Sequence, residues 1–359
     1  MPPRVLLVGP EWRAGWTEST ARALTELGCP VRVSYYLRAG VAQQVSRWRG
    51  WVTDRLKWQR QDAPQWARTA YWWWTGKRVG QFLIQAARDY RPDVVLVLKG
   101  EILQPGVIAA LKRVTGASVT AWWVDDPFAL ERQWGWRNPV QCLPLYDRVF
   151  VFDHYYLGPL KERGVERASF LPCAADPTLY HPQAVAGSER SLYEATVSLV
   201  GVHFESRGRI VEGILHEPGL RIWGPGWASF LISQLGEEGR HRFRGEELSP
   251  DQVSKVYAAS AVNLNSHHAQ SRWGGLNTRA FEICATGGFQ LTDYIRGMEE
   301  LLEPGREVAV YETPQQVPEL VRRYLKDPEG RARIARAGHE RVLAQHTYCH
   351  RMTVVLNSL

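Results

Sequence analysis

The stretch from Trp273 to Asp293 reads WGGLNTRAFEICATGGFQLTD, and its pattern decides the fold. Gly274-Gly275 forms a flexible loop. The spacing predicts a helix from Asn277 to Thr286, with Phe281 and Ala285 on its core face and Gly287-Gly288 as the stop. FQLT then reads as a buried strand that ends at Asp293. A glycine pair ahead of a helix lets a phosphate approach the backbone closely, where free N–H groups and the helix dipole stabilise its charge. Glu282 falls about one and a half turns into that helix. There its carboxylate can accept two hydroxyls from a ribose beside a pyrophosphate; the plainer alternative is a solvated surface Glu.

Working outward, the rest of the chain repeats the same alternation. In the first half, strands are expected at Val5–Val8, Val31–Tyr35, Asp93–Leu98, Ser118–Val124 and Arg148–Phe152. Helices are expected at Thr17–Leu27, with Ala21, Leu24 and Leu27 on one face, and at Ile108–Val114. The pattern breaks at LPCAADPTLYHPQ (Leu171–Gln183), rich in Pro and Asp. A second series follows, with strands at Thr196–Val200, Leu220–Trp223, Ala261–Asn265, Phe289–Thr292 and Val308–Tyr311, and a helix started by Ser249-Pro250-Asp251-Gln252. A last helix is expected from about His339 to Leu356. Strands alternating with helices imply right-handed crossovers and parallel sheets. The expected fold is therefore α/β, two Rossmann-like domains whose parallel sheets face each other across a cleft. Residues 1–182 form the first domain, with a Trp-rich helical insertion at about 40–90. Residues 183–338 form the second, and 339–359 a terminal helix returning to the first. Such sheets bind ligands at the carboxyl ends of their strands.

Bulk properties agree. The 359 residues suit two domains, and 45% hydrophobic with 23% charged residues is ordinary for a globular chain. Five scattered cysteines without a C-x-x-C pair argue for free thiols and against a zinc site. The start, MPPRVLLVGPEW, reads as a first strand rather than an export signal, and no apolar run is long enough to span a membrane, so a cytoplasmic location is expected. The net charge of +7 is almost all arginine, with seven lysines. It suits an anionic substrate and leaves peripheral membrane contact open, but the charges form no basic run, which argues against nucleic acid. Sixteen tryptophans, many between Trp48 and Trp74, fit a packed helical insertion or a surface for sugars, an apolar acceptor or a membrane.

With these segments in hand, the chain resembles the CgeB-like glycosyltransferases, related to the large retaining group of GT-B enzymes. The resemblance is strongest in N-x-R-x-F-E-x-x-A-x-G-G (Asn277–Gly288). LVGVHFESRGRIVEGIL (Leu199–Leu215), WWVDDP (Trp122–Pro127), LPCAADPTLYHP and LEPGREVAVY (Leu302–Tyr311) support it. It implies a GT-B fold with an acceptor domain first and a nucleotide-sugar domain second. It also implies donor contacts at Gly275, Leu276, Asn277, Arg279 and Glu282, and favours a UDP-sugar with a bacterial surface or spore-coat acceptor. The sequence departs from the broader group at one point. Of that group's two glutamates eight residues apart, the second matches Glu282, but the first falls at Gly274. The stereochemical outcome cannot be inherited.

Further candidates lie after other strands. Gly201 follows the first strand of the second domain, and Arg207 could pair with pyrophosphate oxygens; the alternative for Arg207 is a surface pair with Glu205. In the GT-B enzymes that the chain resembles, the region of Trp223-Gly224 and the loop with Glu247 hold the base, whereas Tyr257 reads as helix packing. In the first domain, Asp126 and His154 are the catalytic candidates for taking the acceptor's proton, although Asp before Pro often only shapes a turn. Glu11, Lys99, Asp125 and Asp153 are acceptor-cleft candidates. Asp125-Asp126 lacks Asp-x-Asp spacing, and His267-His268 has no evident third ligand, so no metal and no other cofactor is expected. The expected function is glycosyl transfer from a nucleotide sugar to a glycan, protein or small-molecule acceptor. A nucleotide-sugar epimerase or hydrolase, and a non-catalytic nucleotide-sugar-binding protein, are the alternatives.

Overall fold

The computed structural model describes residues 2–11, 15–36 and 65–359, without the side chains of 65–72 and Trp134. The expected insertion from residue 40 to 64, with Trp48, Trp51 and Trp58, lies outside the described residues, as do the side chains of Trp66 and Trp72. The chain divides into two compact units, Met1–Leu171 with Met352–Leu359, and Pro172–Arg351. The sequence reading puts the boundaries at 182/183 and 338/339 instead. Residues 172–183 go with the second unit because they bond to its helix at Pro250–Ala259: Ser254 Oγ donates to Leu179 O at 3.0 Å, and Gln183 Nε2 to Asp251 Oδ1 at 3.0 Å.

The first unit holds strands β1 (Val5–Gly9), β2 (Val31–Tyr35), β3 (Val94–Leu98), β4 (Ser118–Trp123), β5 (Arg148–Val151) and β6 (Ala168–Phe170), all parallel, in the order β2-β1-β3-β4-β5-β6. Its helices are α1 (Trp16–Glu26), α2 (Gln65–Tyr90), α3 (Pro105–Thr115), α4 (Ala129–Trp134), α5 (Asn138–Cys142) and α6 (Leu157–Glu162). Every residue of β1 and β3 is buried, as expected for central strands covered on both faces. Strand β6 is three half-buried residues, too short and too mixed to carry a periodic signal. Helix α1 corrects the expected face. Thr17, Ser19, Thr20, Ala23 and Leu24 are its buried residues, while Ala21 and Leu27 are only partly so. The hydroxyls tolerate burial because Thr17 donates to Pro10 O and Thr20 to Trp16 O.

The second unit holds α7 (Arg190–Tyr193), β7 (Ala195–Val200), α8 (Glu205–Glu212), β8 (Leu220–Trp223), α9 (Trp227–Leu235), α10 (Glu237–Arg242), α11 (Pro250–Ala259), β9 (Ser260–Leu264), α12 (Thr278–Ala285), β10 (Gln290–Asp293), β11 (Ala309–Tyr311), α13 (Val317–Leu325) and α14 (Pro328–Gln345). Its five parallel strands run β11-β10-β9-β7-β8. Taken from each unit's first strand, the two sheets share one winding, which reverses direction between β1 and β3 and between β7 and β9. The carboxyl ends at such a reversal form the crevice where open α/β sheets bind ligands. The expected capping box of α11 is present, with Ser249 and Gln252 bonded reciprocally. The single terminal helix expected at His339–Leu356 is instead α14 and α15 (Tyr348–Asn357). The break comes where Ala175 N donates to His346 O and Tyr348 N donates to Ala175 O, a lateral pairing that periodicity cannot reveal.

Candidate functional site

At the β7/β9 reversal the chain leaves β7 through Gly201. Its φ of 142° and close neighbours both demand glycine: a Cβ there would collide with Nη1 of Arg279 and Nη1 of Arg207. Gly224, after β8, has φ 131° and lies against the Gly201 carbonyl. Arg207 sits in the first turn of α8, 2% exposed, and is not the surface partner of Glu205, which pairs with Arg209. Its Nε donates to Ser266 Oγ at 2.9 Å, Nη2 to Ser266 O at 3.0 Å and Nη1 to Val202 O at 2.5 Å. The guanidinium also lies 4.1 Å from the Phe204 ring centroid. Burial and the neighbouring Arg279 push the Arg207 guanidinium down to about 9. Its bonds go to neutral oxygens, and its nearest strong electrostatic influence is a second cation. Such a pair is set to be relieved by an anion.

Asn277 caps α12 by accepting from Ala280 N at 3.1 Å, and its Nδ2 donates to Ser266 O at 3.0 Å. One carbonyl therefore ties the start of α12 to Arg207. Arg279 Nε reaches Asn265 Oδ1 at 3.4 Å. The loop before α12 is held by Gly274 N donating to Arg296 O at 2.7 Å, with Arg296 over the Trp273 ring at 4.7 Å. Gly274 has φ 72°, a conformation that glycine adopts and a glutamate would resist. Gly275 and Leu276 are buried beside it. Glu282 is partly buried, not solvated. Burial pushes its carboxyl up to about 7, against Arg279 and hydrogen bonds from Tyr180 and Thr278. Tyr257 is buried on α11 as packing requires, but its hydroxyl lacks a hydrogen-bond partner among the described residues, and Glu282, Arg279 and Arg207 all act on it. Trp223 is 2% exposed, and its carbonyl accepts from Gly201 N at 2.9 Å, so its side chain belongs to the core. Glu247 is exposed.

In the first unit, Lys99 is buried in a left-handed conformation with φ 62° and bridges Glu101 at 3.0 Å and Asp125 at 2.5 Å. Burial opposes its charge, but Asp125 and Glu101 hold the ammonium above its usual range. Asp126 is 6% exposed; its Oδ1 accepts from Phe128 N at 2.9 Å, and its carboxylate pairs with Arg132. Asp153 is buried and accepts from Tyr155 N at 2.8 Å, while His154 stacks on Phe170 with ring centroids 3.8 Å apart. Glu11, beyond β1, is exposed. Among the described residues, no three His, Cys, Asp or Glu side chains are grouped to hold a metal ion, and no helix is long and apolar enough to cross a membrane.

Residues 207–357 match a family model described as glycosyl transferase-like. Spore protein CgeB of Bacillus subtilis (strain 168) is 20% identical over 270 residues, covering 72% of this chain and 80% of CgeB. The chain is thus similar to spore protein CgeB over most of its length and glycosyl transferase-like over residues 207–357. Among solved structures, HepE of Anabaena in complex with UDP-glucose aligns at TM-score 0.63 and 13% identity, over 99% of this chain and 100% of HepE. Sucrose-phosphate synthase from Thermosynechococcus elongatus aligns at 0.68 and 13%, over 99% and 98%. The UDP-forming trehalose-phosphate synthase from Burkholderia xenovorans, in complex with glucose-6-phosphate, aligns at 0.66 and 14%, over 99% of both chains. The fold is GT-B, two Rossmann-like units with parallel sheets.

The structure brings Gly201, Arg207, Gly224, Asn277, Arg279 and Glu282 to one end of the second sheet. It adds residues that the sequence reading passed over. Ser266 follows a strand that was read from the sequence, so its position was a signal. Tyr180 was not findable, because only the fold carries the linker to Glu282.

Proposed function

We propose that this protein transfers a sugar from a nucleoside diphosphate sugar, a UDP-sugar in the first instance, to a hydroxyl of a glycan, protein or small-molecule acceptor. The observation that carries the reading is the pair of guanidiniums, Arg207 and Arg279, crowded against Gly201 at the topological switch point. Two cations there suit a diphosphate, and Glu282 on α12 suits a ribose beside it. HepE, of the same fold, was solved with UDP-glucose, and the trehalose-phosphate synthase is UDP-forming. Both support a uridine donor.

In this reading the departing diphosphate gathers negative charge as the glycosidic bond lengthens, and Arg207, Arg279 and the first turn of α12 offset it. The sugar develops positive charge and the acceptor hydroxyl must lose a proton. Of the two candidates for taking that proton, Asp126 and His154, Asp126 is already committed to a turn and to Arg132. We therefore assign the role to His154. Arginines and a helix N-terminus offset the charge without a metal ion, so transfer is assigned as metal-independent.

The test is a melting screen against uridine, guanosine, adenosine and cytidine diphosphates, followed by UDP release from UDP-glucose and other UDP-sugars with and without glycan acceptors. Stabilisation by UDP with acceptor-dependent UDP release supports the proposal. Free sugar at an acceptor-independent rate would make the protein a hydrolase. Tight binding without turnover on any acceptor would make it a binding protein.

A further inference from the structure

Ser266 and His267 leave the end of β9 side by side and turn to different partners. Ser266 holds Arg207. His267 turns to the end of β10, where its backbone N–H donates to Oδ1 and Oδ2 of Asp293 at 3.0 and 3.1 Å, and its Nδ1 lies 2.6 Å from Oδ1. The Thr292 hydroxyl donates to the same Oδ1 at 3.1 Å. Burial would raise the Asp293 carboxyl, but His267 and Thr292 hold it below its usual range, so it is a pure acceptor. Nδ1 must then carry the hydrogen, and Nε2 is left to act alone. That Nε2 is buried and has no hydrogen-bond partner among the described residues. A buried polar atom without a partner requires an explanation. The next residue, His268, does not share it, since its ring sits edge-on to Phe204 at 5.3 Å.

The surroundings point to an anion. Asp293 and Tyr311 act electrostatically on Arg207, and Arg279 acts on it with opposite sign. Tyr311 Oη gives its hydrogen to Asn265 O at 3.0 Å and so has no proton left for Nε2 of His267. Beside a bound diphosphate, the Asp293 carboxylate on Nδ1 supports a ring that donates from Nε2.

We propose that His267 is a further diphosphate ligand, donating from Nε2 to a phosphate oxygen of the nucleoside diphosphate held by Arg207 and Arg279, with Asp293 as the positioning residue that fixes the ring. The inference rests on the nucleotide-sugar reading of the site.

Calorimetric affinities of the full chain for UDP and for uridine test it. His267→Asn keeps a donor for Asp293 but lacks Nε2. It should weaken UDP by about ten- to a hundredfold and leave uridine within about twofold. His267→Gln restores an amide donor near Nε2 and should recover most of the loss. Asp293→Asn should show the same selectivity with a smaller effect. Unchanged UDP affinity in His267→Asn, or equal losses for UDP and uridine, would overturn the proposal. Should His267→Asn fail to fold, nitrogen NMR of the wild-type histidines decides. UDP should convert one buried Nε2 from an acceptor to a protonated shift, and no such change overturns the assignment. A wild-type chain that binds neither uridine nor UDP would instead remove the nucleotide-sugar reading itself.

Discussion

Arg207 and Arg279 both bring an Nη1 against Gly201, into the space that a side chain at 201 would take. Each cation disfavours the other, and Arg207 is additionally stripped of water. The arrangement costs stability in the empty protein, and the proposed diphosphate is what returns it. Arg207→Ala should therefore weaken UDP by about ten- to a hundredfold and uridine hardly at all, as measured by calorimetry. Equal losses would show that the damage is to the fold around Ser266.

Glu282 links binding to pH. Its carboxyl titrates near 7 in the folded protein, raised by burial from an unfolded value of about 4.3. Between those values the folded state holds the proton more tightly than the unfolded one. Glu282 thus contributes stability that is present at low pH and is lost as pH rises through 7. Glu282→Gln should flatten this dependence and melt no lower than wild type at pH 8. The same variant should bind uridine and UDP about ten- to a hundredfold more weakly, because the amide accepts ribose hydroxyls poorly. Normal uridine affinity in a folded Glu282→Gln protein would take the residue out of the site.

The first unit offers a sharper contrast. Asp126 already accepts from Phe128 N and pairs with Arg132, and Asn can keep the turn. Asp126→Asn should lower the melting temperature and reduce turnover by less than about tenfold, whereas His154→Ala should reduce it by roughly a hundredfold or more, the usual scale for a lost general base. Donor affinity should hold in both. A hundredfold loss in Asp126→Asn at unchanged melting temperature would exchange their roles.

The proposed metal independence rests on the same charge argument as the arginine pair. Transfer measured after exhaustive EDTA treatment should match the untreated rate. Complete loss restored by manganese or magnesium would return attention to Asp125 and Asp126.

The sequence by itself determined the class of fold and most of its strands, because parallel strands buried on both faces leave unbroken apolar runs such as Val94–Leu98. It also determined the capped start of α11 and the roles open to Arg207 and Glu282, since turn chemistry and helical spacing are local. What only the tertiary structure decided depends on contacts between distant segments. The switch point between β7 and β9 comes from strand order, which no local pattern encodes. The hydrogen bond from Tyr180 to Glu282, the lateral pairing of Ala175 that splits the terminal helix, and the clasp of Asp293 on His267 join residues far apart in the chain. Each exists because two backbones are brought within a few ångströms by packing, and hydrophobic periodicity carries no information about which two.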